Sequence, residues 1–132
     1  MTCPAPRILV VDDDVDACAN LHDILTDFGF EVSTAPTGET AMDLVRRCRF
    51  DAALLDLKLP GMNGLELSRQ LKCVSADTAV VIVSAYAGGD SAEQALAVGA
   101  RTVLNKPVNV EQLLPLLMNS ISQSKNTREQ AG

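Results

Sequence analysis

The chain contains no tryptophan, and its aromatic residues together make up only 3% of the sequence. A buried core therefore has to be built from Val, Leu, Ile, Ala and Met. Basic residues are also scarce: 11 Lys and Arg stand against 17 Asp and Glu, for a net charge of −6. With no basic patch, direct binding to nucleic acid or to an anionic membrane is not expected. There is a single histidine, His22, and no CxxC pair among the four cysteines, which argues against a zinc site. Cys3, Cys18, Cys48 and Cys73 read instead as free thiols, buried or partly buried, in a reducing cytoplasm. No apolar run approaches the roughly 18 residues of a membrane helix. Met1 to Arg7 lacks a cationic stretch followed by an apolar one, so no secretory signal is expected.

The 132 residues, 47% hydrophobic and 21% charged, suit one globular domain. Short apolar runs alternate with helical periods. Strands are predicted at Arg7–Val11, Glu31–Ala35, Ala52–Leu55, Ala79–Val83 and Thr102–Asn105. Helices are predicted from Asp14 to Phe28, Thr37 to Arg47, Leu65 to Lys72, Ser91 to Val98 and Val110 to Ile121. In the first, Val15, Cys18, Leu21, Leu25 and Phe28 share the inward face and Gly29 ends the helix. In the second, Ala41, Leu44, Val45 and Cys48 point inward. Pro60-Gly61 and Asn63-Gly64 read as turns. Asn109 is the predicted cap of the last helix, and Pro115 should kink or shift it. Strands alternating with helices imply an α/β domain with a doubly wound, parallel five-stranded sheet covered on both faces. The domain is expected over 7–122, with a disordered tail at 1–6 and a polar tail or truncated linker at 123–132.

The polar residues at the strand ends carry the chemistry. Asp12 and Asp13 close the first strand, Asp56 the third, Ser84 the fourth and Lys106 the fifth. The carboxyl ends of parallel strands gather at one edge of the sheet, where ligands bind. Taken singly, an aspartate there is as readily a helix cap, a serine a partner for backbone and a lysine a solvated charge. Together they form a set that caps alone do not explain. Three carboxylates repel one another, and a hard divalent cation such as Mg²⁺ or Mn²⁺ relieves that repulsion through oxygen ligands. Lys106 and Ser84 add a positive charge and a hydroxyl donor. Such a set suits a dianionic phosphoryl group with a carboxylate as its acceptor. His22, beside Asp23, reads as a surface helix residue because no four-helix pattern surrounds it.

Four stretches, in this order, resemble the receiver domains of response regulators in two-component phosphorelays. They are Ile8 to Asp14, Asp56 to Gly64, Val81 to Ala85, and Gly99-Ala100 through Lys106-Pro107. The resemblance spans about residues 6 to 122 and implies a flavodoxin-like (βα)5 fold with strand order 2-1-3-4-5. It implies that Asp56 accepts a phosphoryl group from a phosphohistidine of a histidine kinase or phosphotransfer protein. Asp13, Asp56 and the backbone carbonyl of Lys58 would hold Mg²⁺ directly and Asp12 would hold it through water. Ser84 would bond a phosphoryl oxygen and Lys106 would pair with the phosphate. Output would pass through the face made by the fourth helix, fifth strand and fifth helix to a domain or protein the sequence does not name. A homodimer through that face is open, although no residue here argues for it.

Three departures from the family pattern matter. The family usually carries Tyr or Phe three residues before the lysine, where this chain has Val103, so an aromatic switch cannot operate there. Lys58 and Tyr86 occupy the positions that tune loss of the phosphoryl group to water, and both are long enough to shield Asp56. No output domain follows residue 122, so the chain reads either as a stand-alone receiver or as a module of a larger regulator or hybrid kinase. The closest rival is a phosphatase of the haloacid dehalogenase type, which also uses an aspartate nucleophile, Ser or Thr, Lys and Mg²⁺. Its acid/base aspartate two residues after the nucleophile is replaced here by Lys58, so turnover of small esters is not expected. The second rival is a degenerate receiver that only binds, and the complete set of Asp12, Asp13, Asp56, Ser84 and Lys106 argues against it.

Overall fold

A computed structural model of the chain describes residues 6–59, 61–84, 97, 100, 102–105 and 108–119. Five strands, β1 (Arg7–Val11), β2 (Glu31–Ala35), β3 (Ala52–Asp56), β4 (Ala79–Ser84) and β5 (Thr102–Asn105), form one parallel sheet in the order β2-β1-β3-β4-β5. Three helices precede β4: α1 (Val15–Asp27), α2 (Gly38–Arg47) and α3 (Gly64–Val74). A further C-terminal helix covers residues 110–119. The helix predicted at 91–98 lies outside the described residues except for Ala97, which is helical.

The alternation of side chains along each strand sorts the core into two layers. Leu9, Val11, Ala53, Leu55, Val80 and Ile82 pack under α2 and α3, against Ala41, Met42, Val45, Leu67 and Leu71. Ile8, Val10, Ala52, Leu54, Ala79 and Val81 pack under α1 and the C-terminal helix, against Cys18, Leu25, Leu113 and Leu117. Both faces of the sheet are thus dry. That is why the strands read as continuous apolar runs rather than as alternating ones.

Helix ends are where the sequence expectation needs correcting. Val15 and Phe28 do not face inward: they are 74% and 61% exposed. Val15 is the first residue of α1, beyond the sheet edge, and Phe28 is its C-cap, where the helical repeat has already stopped. Gly29 ends α1 as expected, with φ +94°, a conformation only glycine adopts without strain. In α2, Met42 is buried, whereas Leu44 and Cys48 are only partly so. Asn63-Gly64 is not a turn but the N-cap and first residue of α3, with Asn63 Oδ1 accepting from Glu66 N at 2.8 Å. Pro115 lies within the C-terminal helix. It faces solvent while Leu113 and Leu117, both fully buried, hold the turns on either side of it. Asn109 caps that helix, its Oδ1 accepting from Glu111 N at 2.9 Å.

The thiols are all free among the described residues, but they are not alike: Cys18 is buried, Cys48 partly buried and Cys73 exposed. Cys73 therefore departs from the expected burial, because α3 turns it away from the sheet. Burial pushes the Cys18 thiol above its ordinary pKa, and the Asp12 carboxylate adds to the shift. A neutral Cys18 is thus favoured by folding. Its contribution is fully present below the ordinary thiol range and is lost as pH rises through the higher, folded-state value. With a limiting alkylating reagent at mildly alkaline pH, Cys73 is expected to react first and Cys18 last. Peptide mass spectrometry reads the order, and early labelling of Cys18 would contradict the packing of α1.

Candidate functional site

In-register parallel pairing lines up the strand ends. Val11 pairs with Leu55, so Asp12 follows at the level of Asp56. Asp56 pairs with Val83, and Ser84 with Asn105. Asp12, Asp56 and Ser84 are all buried, at 7%, 7% and 4% exposure, while Asp13 is exposed at the mouth. One carboxylate oxygen from each of Asp12, Asp13 and Asp56 falls within 4.8 Å of the others. Three of the predicted site residues are therefore brought into one cluster, with Ser84 at the end of the strand next to Asp56. Lys106 and Tyr86 lie outside the described residues. The Lys58 side chain is exposed.

Backbone contacts fix both buried carboxylates. Asp12 N donates to Ala35 O at 3.1 Å, and Asp12 O accepts from Cys18 Sγ at 3.2 Å. Asp12 Oδ1 accepts from Asp14 N at 3.0 Å, which orients it across the start of α1. Asp14 is itself the N-cap of that helix, as its position suggested, and accepts from Asp16 N and Ala17 N. On β3, Leu57 N donates to Val83 O at 2.9 Å, and Lys58 N donates to Asp56 Oδ1 at 3.2 Å. The chain then loops out and returns at α3, where Gly64 N donates to Leu57 O at 2.8 Å. A cavity of about 450 Å³ adjoins the cluster, lined by Asp12, Asp14 and Asp56 together with Val10, Leu21, Ile24 and Val108.

The donor set fits a hard cation. Each residue offers a carboxylate oxygen, no His or Cys takes part, and one oxygen of the set lies on an exposed residue where water can complete the coordination. Val103, at the position of the usual aromatic, is partly buried and packs against the layer that includes Ile82 and Val80. A residue that pattern reading missed is Gly64. A Cβ built on it would lie 2.5 Å from Asp56 O and 2.9 Å from Leu57 Cα. In the sequence it is marked by an Asn-Gly pair, which reads equally well as a turn, and by closing the Asp56 to Gly64 stretch, and neither gives it a contact.

The described architecture is shared with known proteins. The chain is 41% identical over 110 residues to a response regulator receiver protein of Anaeromyxobacter sp. (strain Fw109-5), covering 83% of this chain and 46% of that protein. It spans less than half the length of this and several other curated relatives. A CheY-like response regulator receiver domain protein from Methanospirillum hungatei JF-1 superposes with a TM-score of 0.88 at 30% identity, covering 93% of this chain and 98% of that one. A response regulator protein from Burkholderia pseudomallei, solved with a phosphorylated aspartic acid, calcium ion and citrate, gives a TM-score of 0.82 at 28% identity, covering 96% of this chain and 75% of that one. Residues 8–118 match the response regulator receiver domain, and the chain belongs to that family.

Proposed function

We propose that Asp56 is the phosphoacceptor of this receiver domain and that it takes its phosphoryl group from the phosphohistidine of a histidine kinase or phosphotransfer protein. The observation that carries this reading is the buried Asp56 carboxylate with Asp12 and Asp13 oxygens within 4.8 Å. In the transfer, Asp56 forms an O–P bond as the P–N bond of the donor breaks, so the imidazole leaves and takes up a proton. Asp13, Asp56 and the backbone carbonyl of Lys58 would hold Mg²⁺ or Mn²⁺ directly, and Asp12 would hold it through water. That cation, when bound, supplies positive charge to the phosphoryl oxygens. Ser84 donates to one oxygen and Lys106 pairs with another. The hydrogen bond from Lys58 N at 3.2 Å helps to orient the Asp56 carboxylate for attack. The phosphorylated Burkholderia relative, with its calcium ion, supports both the modification and the cation.

This role is signalling rather than turnover, since Lys58 stands where an ester phosphatase would need its acid/base aspartate. The domain is proposed to occupy 7–122, with 123–132 as tail or linker, and to work in the cytoplasm. No described helix is long and apolar enough to cross a membrane. Output is proposed through the face made by residues 91–98, β5 and the C-terminal helix, toward a partner protein or attached domain. The test is labelling of the full chain with a small-molecule acyl phosphate. Phosphoryl uptake is expected with Mg²⁺ and not after chelation, and no uptake under either condition would sink the reading.

Lys58 and Tyr86 are proposed to shield the phosphorylated carboxylate from water. Lys58→Ala and Tyr86→Ala are each expected to shorten the half-life of phosphorylated Asp56 severalfold. Half-lives equal to the parent's would refute the shielding.

A further inference from the structure

We infer that Gly64 is a positioning residue for Asp56, acting through the backbone. This inference rests on the reading of Asp56 as the acceptor and deepens it. The first residue of α3 abuts the end of β3: a Cβ on Gly64 would sit 2.5 Å from Asp56 O, 2.9 Å from Leu57 Cα and 3.1 Å from Asp56 C. Every one of these atoms is backbone, so no side-chain rotation can make room. Either α3 or the Asp56–Leu57 peptide must move.

The same contact explains why the approach is so close. Gly64 N donates to Leu57 O at 2.8 Å, closing the loop that leaves the sheet at Asp56. The helix behind it is anchored by Leu67 and Leu71, both fully buried, and by its Asn63 cap. The strand end is held too, with Leu57 N donating to Val83 O at 2.9 Å, so neither partner yields freely and a methyl group at 64 strains the Asp56–Leu57 peptide. That peptide carries the acceptor and leads into Lys58 N, which donates to Asp56 Oδ1. A displacement of about 1 Å at a reacting group costs on the order of a hundredfold in rate.

The experiment uses the full chain and compares Gly64→Ala with Leu67→Ala, which empties the same helix's core without touching Asp56. Both are brought to the same folded fraction as the parent with an excluded osmolyte. Two quantities are read: the rate of phosphoryl uptake from an acyl phosphate, and the Mg²⁺ midpoint from the Lys58 amide resonance. Gly64→Ala is expected to lose at least about tenfold in uptake, to weaken Mg²⁺ severalfold and to shift the Lys58 amide before Mg²⁺ is added. Leu67→Ala, once equally folded, is expected to stay within about twofold of the parent in both. Equal behaviour of the two variants would mean that Gly64 only stabilises the fold, and overturns the inference. If Gly64→Ala does not fold, the parent's own Gly64 amide decides: it should move with the same Mg²⁺ midpoint as Lys58, and a static resonance overturns the inference. Absence of uptake by the parent would strike the acceptor reading alone, because the Lys58 and Mg²⁺ readouts test the positioning independently.

Discussion

Asp56→Asn is expected to abolish phosphoryl uptake, with a loss of more than about a thousandfold, while leaving the fold intact. On the proposed role the carboxylate is the nucleophile, and an amide oxygen in its place cannot form a stable acyl phosphate. The fold should survive because the substitution preserves shape. Asparagine keeps an oxygen to accept from Lys58 N. It also removes a negative charge from a buried position beside two other carboxylates. Uptake from an acyl phosphate, followed alongside circular dichroism, checks both halves. A folded Asp56→Asn that labels as well as the parent would show that the group goes elsewhere.

The second large effect concerns the cation. At a concentration a hundredfold above its dissociation constant, Mg²⁺ should stabilise the native state by about 2.7 kcal/mol, because only the folded chain brings the three carboxylates together. For a domain of this size that is a rise in Tm on the order of 10 °C. Asp13→Asn should act with opposite signs in the two conditions. Without Mg²⁺ it relieves repulsion among carboxylates within 4.8 Å of one another, and is expected to stabilise the chain by about 1 kcal/mol, limited by the exposure of Asp13. With Mg²⁺ it loses most of the ligand-induced rise. A thermal scan of parent and variant with Mg²⁺ and with chelator measures the crossing. Parallel shifts of the two proteins would argue that Asp13 takes no part in holding the ion.

The sheet and its acidic edge were legible in the sequence for a physical reason. A parallel sheet must cover both faces, so its strands are apolar without interruption, and the first polar residue after each run marks the strand end. Asp12, Asp56 and Ser84 could be placed on one edge from that alone, and in-register pairing then brings Asp12 and Asp56 level. What the pattern could not supply were contacts that depend on where a helix stops. Val15 and Phe28 continue the apolar period of α1 but stand beyond the stretch that meets the sheet. Met42 lies between the positions counted as inward, yet the narrow, strongly one-sided helix α2 buries it. Gly64 is a contact through space between the start of α3 and the end of β3, and no local pattern encodes such an approach. The roles of Lys106 and Tyr86 rest on the family resemblance, since both lie outside the described residues.

Val103 bears on how the signal leaves the site. It is packed into the same layer as Ile82 and Val80, the β4 residues that lead toward Ser84. A valine has no ring to swing between an inward and an outward position. Any response of this chain to phosphorylation therefore cannot run through an aromatic rotation at this position.

The most direct test of the central claim is to locate the phosphoryl group. The full chain is labelled with an acyl phosphate and Mg²⁺, the acyl phosphate is reduced with borohydride, and the modified residue is identified by peptide mass spectrometry. Reduction at Asp56, and only there, is the predicted result. A reduced Asp12 or Asp13 with Asp56 untouched would contradict it.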